Sequence, residues 1–157
     1  MTRRTQIVVL AAVLVAAPAA LAGWNELALR RGEHVLLRTQ PVDPRDPFRG
    51  DYVALAYPES RLRPGAEFAE GTRVYVQLRE RPDGVWVGRA PTRERPSAGV
   101  FVRGRVDGFQ IRFGIERFYV REGTARKYEL ANARGRLLAD VAVERDGSAH
   151  LSELVIR

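Results

Sequence analysis

The sequence predicts a mainly β fold, either a β-sandwich or an open barrel of antiparallel hairpins with one short helix, behind an N-terminal transmembrane helix. Three observations support this prediction. Three Asp-Gly pairs each lie between β-rich runs, hydrophobic residues alternate along the predicted strands, and an uncharged apolar stretch lies near the N-terminus. A chain of 157 residues has room for one domain and an appendage. We therefore divide it into a membrane segment, residues 1–31, and a β domain, residues 32–157.

The N-terminal segment is predicted from its charge pattern. Arg3 and Arg4 precede residues 7–24, which carry no charge, and arginines before an apolar run keep the N-terminus cytoplasmic. A membrane span needs about 20 apolar residues, so we expect a single-pass anchor in the bacterial inner membrane with the domain on the periplasmic, extracytoplasmic side. Residues 20–22, Ala-Leu-Ala, also fit a signal-peptide cleavage site, which leaves a removable signal as the alternative.

Composition narrows the possible functions. The net charge is +7, but charges of opposite sign alternate, as in Arg79-Glu80-Arg81, and form no basic block, so we expect no nucleic-acid partner. The chain has no cysteine, which excludes zinc–thiolate sites, iron–sulfur clusters and disulfides. Its two histidines, His34 and His150, lie far apart in sequence. We therefore expect no metal and no cofactor.

The first part of the domain is predicted to be two strands around a rigid turn. Residues 34–39 form the first strand, and three prolines with Gly50 prevent helix or central strand within 41–51. In the second strand, residues 52–57, strand alternation places Val53, Leu55 and Tyr57 on one face.

The remainder is predicted to be three hairpins and one helix. Thr124 can cap a helix over 125–133, and Gly135 is placed to end it. An Asp-Gly pair between β-rich runs is the strongest short-range hairpin signal. The three pairs join 72–78 to 85–87, 100–106 to 109–113, and 137–144 to 149–156.

Aromatic residues are expected to build the core, and any that face outward would mark a protein-binding surface. The expected core aromatics are Tyr75, Trp86, Phe101, Phe109, Phe113, Phe118 and Tyr119.

Two separated stretches resemble a known family. Residues 50–57 read Gly-Asp-Tyr-Val-Ala-Leu-Ala-Tyr, and residues 114–123 read Gly-Ile-Glu-Arg-Phe-Tyr-Val-Arg-Glu-Gly, followed by Glu129. Both are similar to signatures of the GDYXXLXY proteins, a bacterial family of membrane-anchored proteins, and the resemblance covers roughly 33–157. It implies an architecture with one N-terminal membrane segment, in some cases encoded near multi-pass membrane proteins. It implies no reaction.

The first candidate site is the Pro-rich turn before the second strand. Its arginines could bind a carboxylate or phosphate of a ligand. Alternatively, its aspartates accept backbone N–H bonds and pair with those arginines to brace the turn. The residues are Asp43, Arg45, Asp46, Arg49 and Asp51, with Tyr52 and Tyr57 on the strand that follows.

The second candidate site is the later motif, with Glu116, Tyr119, Glu122 and Glu129. Two carboxylates held apart could act as general acid and base. The neighbouring arginines argue against a general acid, because they favour the ionised form. In that alternative, Glu116 is a buried, paired carboxylate that stabilises the fold and takes no part in catalysis.

The leading functional hypothesis is a non-enzymatic module that contacts a multi-pass membrane protein or another envelope component. The alternative is an envelope ligand-binding protein or hydrolase that uses the acidic residues of the two motifs. A shared open pocket containing Asp51 and Glu116 would favour the alternative.

Overall fold

The computed structural model of the chain describes residues 32–41, 52–62 and 68–157, together with scattered positions of the N-terminal segment. Within these ranges, seven strands form one half-barrel sheet and two short strands form a separate ribbon. The strands are β1 (Glu33–Arg38), β2 (Tyr52–Ala54), β3 (Arg73–Glu80), β4 (Val85–Gly88), β5 (Phe101–Asp107), β6 (Gln110–Arg112), β7 (Arg117–Tyr119), β8 (Leu137–Val143) and β9 (Ala149–Ile156).

The three predicted hairpins are confirmed. The pairs β3–β4, β5–β6 and β8–β9 are antiparallel, and each turn contains one of the Asp-Gly pairs. Side chains of the turn aspartates complete two of these turns. Asp83 accepts a hydrogen bond from the Val85 N–H at 3.1 Å, and Asp146 accepts one from the Ser148 N–H at 2.8 Å. The local sequence therefore determines the tight turns of the sheet.

The hairpins join in an order that local sequence does not specify. The large sheet runs β6-β5-β3-β4-β1-β8-β9, so β1 lies between the first and third hairpins. It pairs antiparallel with β8 but parallel with β4, with Leu36 opposite Val85. This parallel pair departs from the predicted all-antiparallel arrangement.

The core is formed by alternate aliphatic residues of the strands. Val35 and Leu37 of β1 are buried, as are Val74 and Val76 of β3, while the residues between them are half-buried or exposed. Strand β8 is buried along almost its whole length. Alternation thus gives most strands one core face, and β8 contributes both of its faces.

The aromatic prediction is only partly correct. Phe101 and Phe113 are buried, whereas Phe109 is 91% exposed and Tyr119 is 75% exposed. Phe109 follows the Asp-Gly turn of the β5–β6 hairpin, where a side chain projects away from the sheet. Tyr119 lies on the outward face of β7. Tyr119 and Phe109 therefore face outward, which is the orientation that we expect of aromatic residues in a protein-binding surface.

Helix α1 (Ala125–Ala133) has the predicted bounds. Gly135 follows it with φ +67°, a left-handed conformation that glycine adopts without strain, and its N–H donates to the Asn132 carbonyl at 2.9 Å. Thr124 precedes the helix but makes no capping bond, since its hydroxyl donates to the Arg121 carbonyl instead. The buried Asn132 side chain joins α1 to the chain after β1, because its Nδ2 donates to the Gln40 carbonyl at 3.1 Å.

The predicted fold class is wrong in its architecture. A half-barrel of seven strands replaces the sandwich or open barrel of hairpins, because β1 joins the three hairpins into one continuous sheet by pairing with both β4 and β8. Within residues 32–157, the described part of the chain contains two helices in place of the one predicted there, α1 and a 3-10 helix at Pro58–Ser60.

The predicted N-terminal transmembrane helix is also wrong. Among the described residues, no helix is long and apolar enough to cross a bilayer.

Candidate functional site

The two motif stretches, far apart in sequence, lie side by side in the structure. Strand β2 from the first motif pairs antiparallel with β7 from the second, with Val53 opposite Phe118. The Leu55 N–H then extends this pairing by donating to the Glu116 carbonyl at 2.9 Å. We call the paired strands β2 and β7 the motif ribbon. Neither motif alone predicts that the two strands pair, because the pairing joins residues more than 60 positions apart.

The inner face of the motif ribbon is part of the core. Val53, Leu55 and Tyr57 are all buried, so the predicted strand alternation is confirmed. Tyr57 is 1% exposed, and its hydroxyl donates to the Ile115 carbonyl at 2.8 Å. Burial, with smaller contributions from the Glu116 and Glu59 carboxylates, raises the pKa of Tyr57 well above its usual range. Tyr57 therefore stays neutral and fastens the first motif to the second.

Glu116 stabilises the turn that leads into β7. Its Oε1 accepts the Phe113 N–H at 2.6 Å, and its Oε2 accepts the Gly114 N–H at 3.1 Å. Gly114 has φ +88°, which the turn requires and which other residues rarely adopt. A carboxylate occupied by two backbone donors is positioned as an acceptor that fixes a loop, not as a proton donor. This geometry fits the structural interpretation of Glu116.

The outer face of the motif ribbon presents aromatic and cationic groups. Tyr52 and Tyr119 are directly opposite each other, with ring centroids 6.1 Å apart and planes inclined by 56°. The Arg117 guanidinium lies 5.7 Å from the centre of the Tyr52 ring, within range of a cation–π interaction. Tyrosine and arginine are the residue types enriched at the energetic centres of protein interfaces. This face is the candidate site.

A small cavity of about 220 Å³ lies beside the motif ribbon. Glu116 and Arg112 line it, together with Ser60, whose buried hydroxyl has no hydrogen-bond partner among the described residues. Polar groups of this kind, buried without a partner, are uncommon in proteins.

Sequence reasoning did not identify Glu59, which lies in the 3-10 helix just after the first motif. Its Oε1 accepts the Gly88 N–H at 3.1 Å, while its Oε2 is buried without a partner in the described part of the chain. Burial raises the pKa of this carboxyl. Pro58 was a signal for the start of a helix, but burial of the neighbouring acid depends on Gly88, 29 positions later.

The remaining predicted site residues are not brought to the motif ribbon. Glu122 is exposed in the turn before α1 and makes no hydrogen bond or ion pair with a described residue. Glu129 lies on the exposed side of α1. Asp43, Arg45, Asp46, Arg49 and Asp51 lie outside the described residues.

Both histidines have acidic partners that their sequence spacing did not suggest. His34 Nδ1 lies 2.8 Å from Asp140, and His150 Nε2 lies 2.9 Å from Glu144. The hydrogen bond that the ring N–H of His34 donates to the Asp140 carboxylate raises the pKa of His34. Each site is a single pair, and no group of three or more potential metal ligands occurs among the described residues.

The fold and the motif ribbon define a small, mainly β protein in which two separated motifs meet in one structural unit. The model of the GDYXXLXY protein family matches residues 14–154, and the chain belongs to this family. No curated protein and no solved structure matches the chain.

Proposed function

We propose that this protein is a non-catalytic binding module of the bacterial envelope, which contacts a membrane-protein partner through the outer face of its motif ribbon. The observation that carries the proposal is the pair of exposed Tyr119 and half-buried Tyr52, with the exposed Arg117 beside it. Rigid aromatic rings supply contact area at low entropic cost, and arginine adds directional hydrogen bonding.

The chemistry of the acidic residues supports a binding role over a catalytic one. Both oxygens of Glu116 accept hydrogen bonds from backbone N–H groups, so its carboxylate is engaged in stabilising a turn. Glu122 is exposed and has no partner in the described part of the chain that would hold it at a reacting atom. A general acid–base pair requires two carboxyls fixed on either side of a substrate.

The proposed location is the extracytoplasmic side of the bacterial inner membrane. Its support is the pair Arg3 and Arg4 before the uncharged stretch 7–24, a pattern that directs export. The N-terminal residue of the mature protein, with fractionation of cells, tests this location. A full-length protein recovered in the cytoplasm would contradict it.

Crosslinking in native membranes tests the partner. We expect the tagged full-length chain to recover one multi-pass membrane protein in near-equal amount. Tyr119→Ala combined with Arg117→Ala should remove most of it, because both side chains are exposed on the outer face of the motif ribbon. Ile156→Ala, which truncates an exposed apolar residue on β9 instead, is the matched control. Recovery of the protein alone, or equal loss in both variants, would refute the proposal.

The second candidate function is a ligand-binding protein, and the cavity beside Glu116 is the observation that favours it. At about 220 Å³ it is smaller than the usual 300–1,000 Å³ of drug-sized ligand sites, so only a small ligand would fit. A thermal-shift screen of small organic acids, repeated on Ser60→Ala, tests this alternative. A ligand whose effect disappears in that variant would favour it.

A further inference from the structure

Three arginines form a row across the outer face of the large sheet. Arg73 of β3 is directly opposite Arg105 of β5, which is in turn directly opposite Arg112 of β6. All three are exposed, while the residues that flank each of them along its strand point to the core or are small. We call these residues the arginine row.

The charges of the arginine row are only partly compensated. Arg112 forms an ion pair with Asp107. The Arg73 side chain has no hydrogen bond or ion pair with a described residue, and the Arg105 side chain makes only one long contact, 3.4 Å to the Gly71 carbonyl. Like charges directly opposite each other on adjacent strands destabilise a sheet. Because the repulsion between these arginines lowers the stability of the sheet, their arrangement indicates that a negatively charged ligand binds there.

The shape of the surface favours an extended ligand. The arginine row lines an open depression of about 540 Å³, bordered by Gly71 and Gly114. Soluble ligands are usually bound in clefts that enclose most of their surface. The hairpin that carries Arg105 and Arg112 also ends at Phe109, which is 91% exposed. Helices that lie on membrane surfaces combine basic residues with exposed aromatic ones, and this hairpin combines the same two residue types.

We propose that the arginine row docks this domain on the phosphate headgroups of an anionic phospholipid bilayer, with Phe109 entering the interface. Each guanidinium can donate two parallel hydrogen bonds to a phosphate. A lipid surface presents many phosphates in one plane, which matches a row of cations better than a single phosphate does. The proposal does not depend on the partner-binding function of the motif ribbon.

Vesicle sedimentation of the full-length chain tests the docking. Binding to vesicles of phosphatidylglycerol mixed with phosphatidylcholine is compared with binding to phosphatidylcholine alone, so that any contribution of the apolar N-terminal stretch cancels in the ratio. Each arginine near an anionic surface contributes about fivefold in affinity. Arg73→Gln with Arg105→Gln should therefore lower the ratio by about 25-fold at low salt, and added salt should lower the ratio of the native protein.

A control variant separates the arginine row from net charge. Arg126→Gln with Arg134→Gln removes the same charge from exposed positions on and just after α1, and should change the ratio much less. Phe109→Ser should weaken binding to both vesicle types. Equal effects of the two double variants would overturn the proposal. Saturation of the arginine row by millimolar inorganic phosphate, or binding only to an acidic polypeptide, would overturn the lipid as its ligand.

Discussion

Tyr57→Phe tests whether the two family motifs are held together by one hydrogen bond. The substitution keeps the buried ring and removes only the hydroxyl, which lies 2.8 Å from the Ile115 carbonyl. The carbonyl is then left buried without this donor, and an unsatisfied buried acceptor costs about 1–3 kcal/mol. For a domain of about 120 residues the entropy of unfolding is about 250 cal/mol/K, so we expect Tm to fall by about 4–12 °C.

Urea unfolding and thermal unfolding of the full chain, followed by circular dichroism, measure this loss. Tyr119→Phe is the matched control, because that ring is 75% exposed and its change should stay within about 0.5 kcal/mol. If Tyr57→Phe is as stable as the native protein, the hydroxyl does not hold the motifs together and the argument fails.

The pH dependence provides an independent check on Tyr57. Its pKa is raised in the folded protein, so the folded state holds this proton more tightly than the unfolded state does. The corresponding stability is complete below about pH 10 and is lost as pH rises above it. The native protein loses this part of its unfolding free energy at alkaline pH, whereas Tyr57→Phe has no hydroxyl to ionise and keeps its unfolding free energy. The gap in unfolding free energy between the two proteins should therefore narrow above about pH 10. A constant gap would contradict the assigned cause.

Three further changes test acidic residues. Glu116→Ala should destabilise the domain by about 1–3 kcal/mol in urea unfolding, because two backbone amides lose their acceptor, and Glu116→Gln should restore part of this. Glu59→Gln should be as stable as the native protein or more so at pH 7. Because burial raises the pKa of Glu59, the native protein loses stability as pH rises above about 4.5, whereas the variant does not. A less stable variant would contradict this. Asp140→Asn should flatten the loss of stability as pH rises above about 6.5, where the raised pKa of His34 has its effect. That effect should stay below about 1 kcal/mol since His34 is half-exposed, and unchanged pH dependence would show that the pair is unimportant.

Local sequence signals predicted the parts of the fold that depend on local physics. Asp83 and Asp146 complete tight turns with their own side chains, and Gly135 supplies the left-handed residue after α1. Such signals act within a few residues, so they are readable without the tertiary structure. Strand alternation likewise placed Val53 and Leu55 on one face, and in the structure that face is buried.

Sheet order and the parallel contact between β1 and β4 depend on which hairpins pack together, which local signals do not specify. The prediction of a sandwich or an open barrel of antiparallel hairpins failed for this reason. The aromatic residues show the same limit. Hydrophobicity assigned Phe109 and Tyr119 to the core, but a turn position and an outward strand face expose them.

The candidate site could be predicted as residues but not as an arrangement. Tyr52, Glu116 and Tyr119 were selected from two motifs, and the register that places the tyrosines opposite each other is a long-range property. Glu59 was missed because its burial requires the space left by Gly88: a Cβ on that glycine would lie 2.4 Å from the Glu59 Cγ. No pattern within either segment encodes that contact.

The two faces of the motif ribbon separate folding from recognition. Tyr57 and Glu116 are occupied by hydrogen bonds within the domain, so changing them should lower stability, and any loss of binding would follow from unfolding. Tyr119 and Arg117 project outward, so changing them leaves those bonds in place. A family signature that includes both kinds of position therefore does not by itself locate a binding surface. The variants that abolish partner recovery while the Tm stays within a few degrees define that surface, and the motif ribbon predicts that they lie on its outer face.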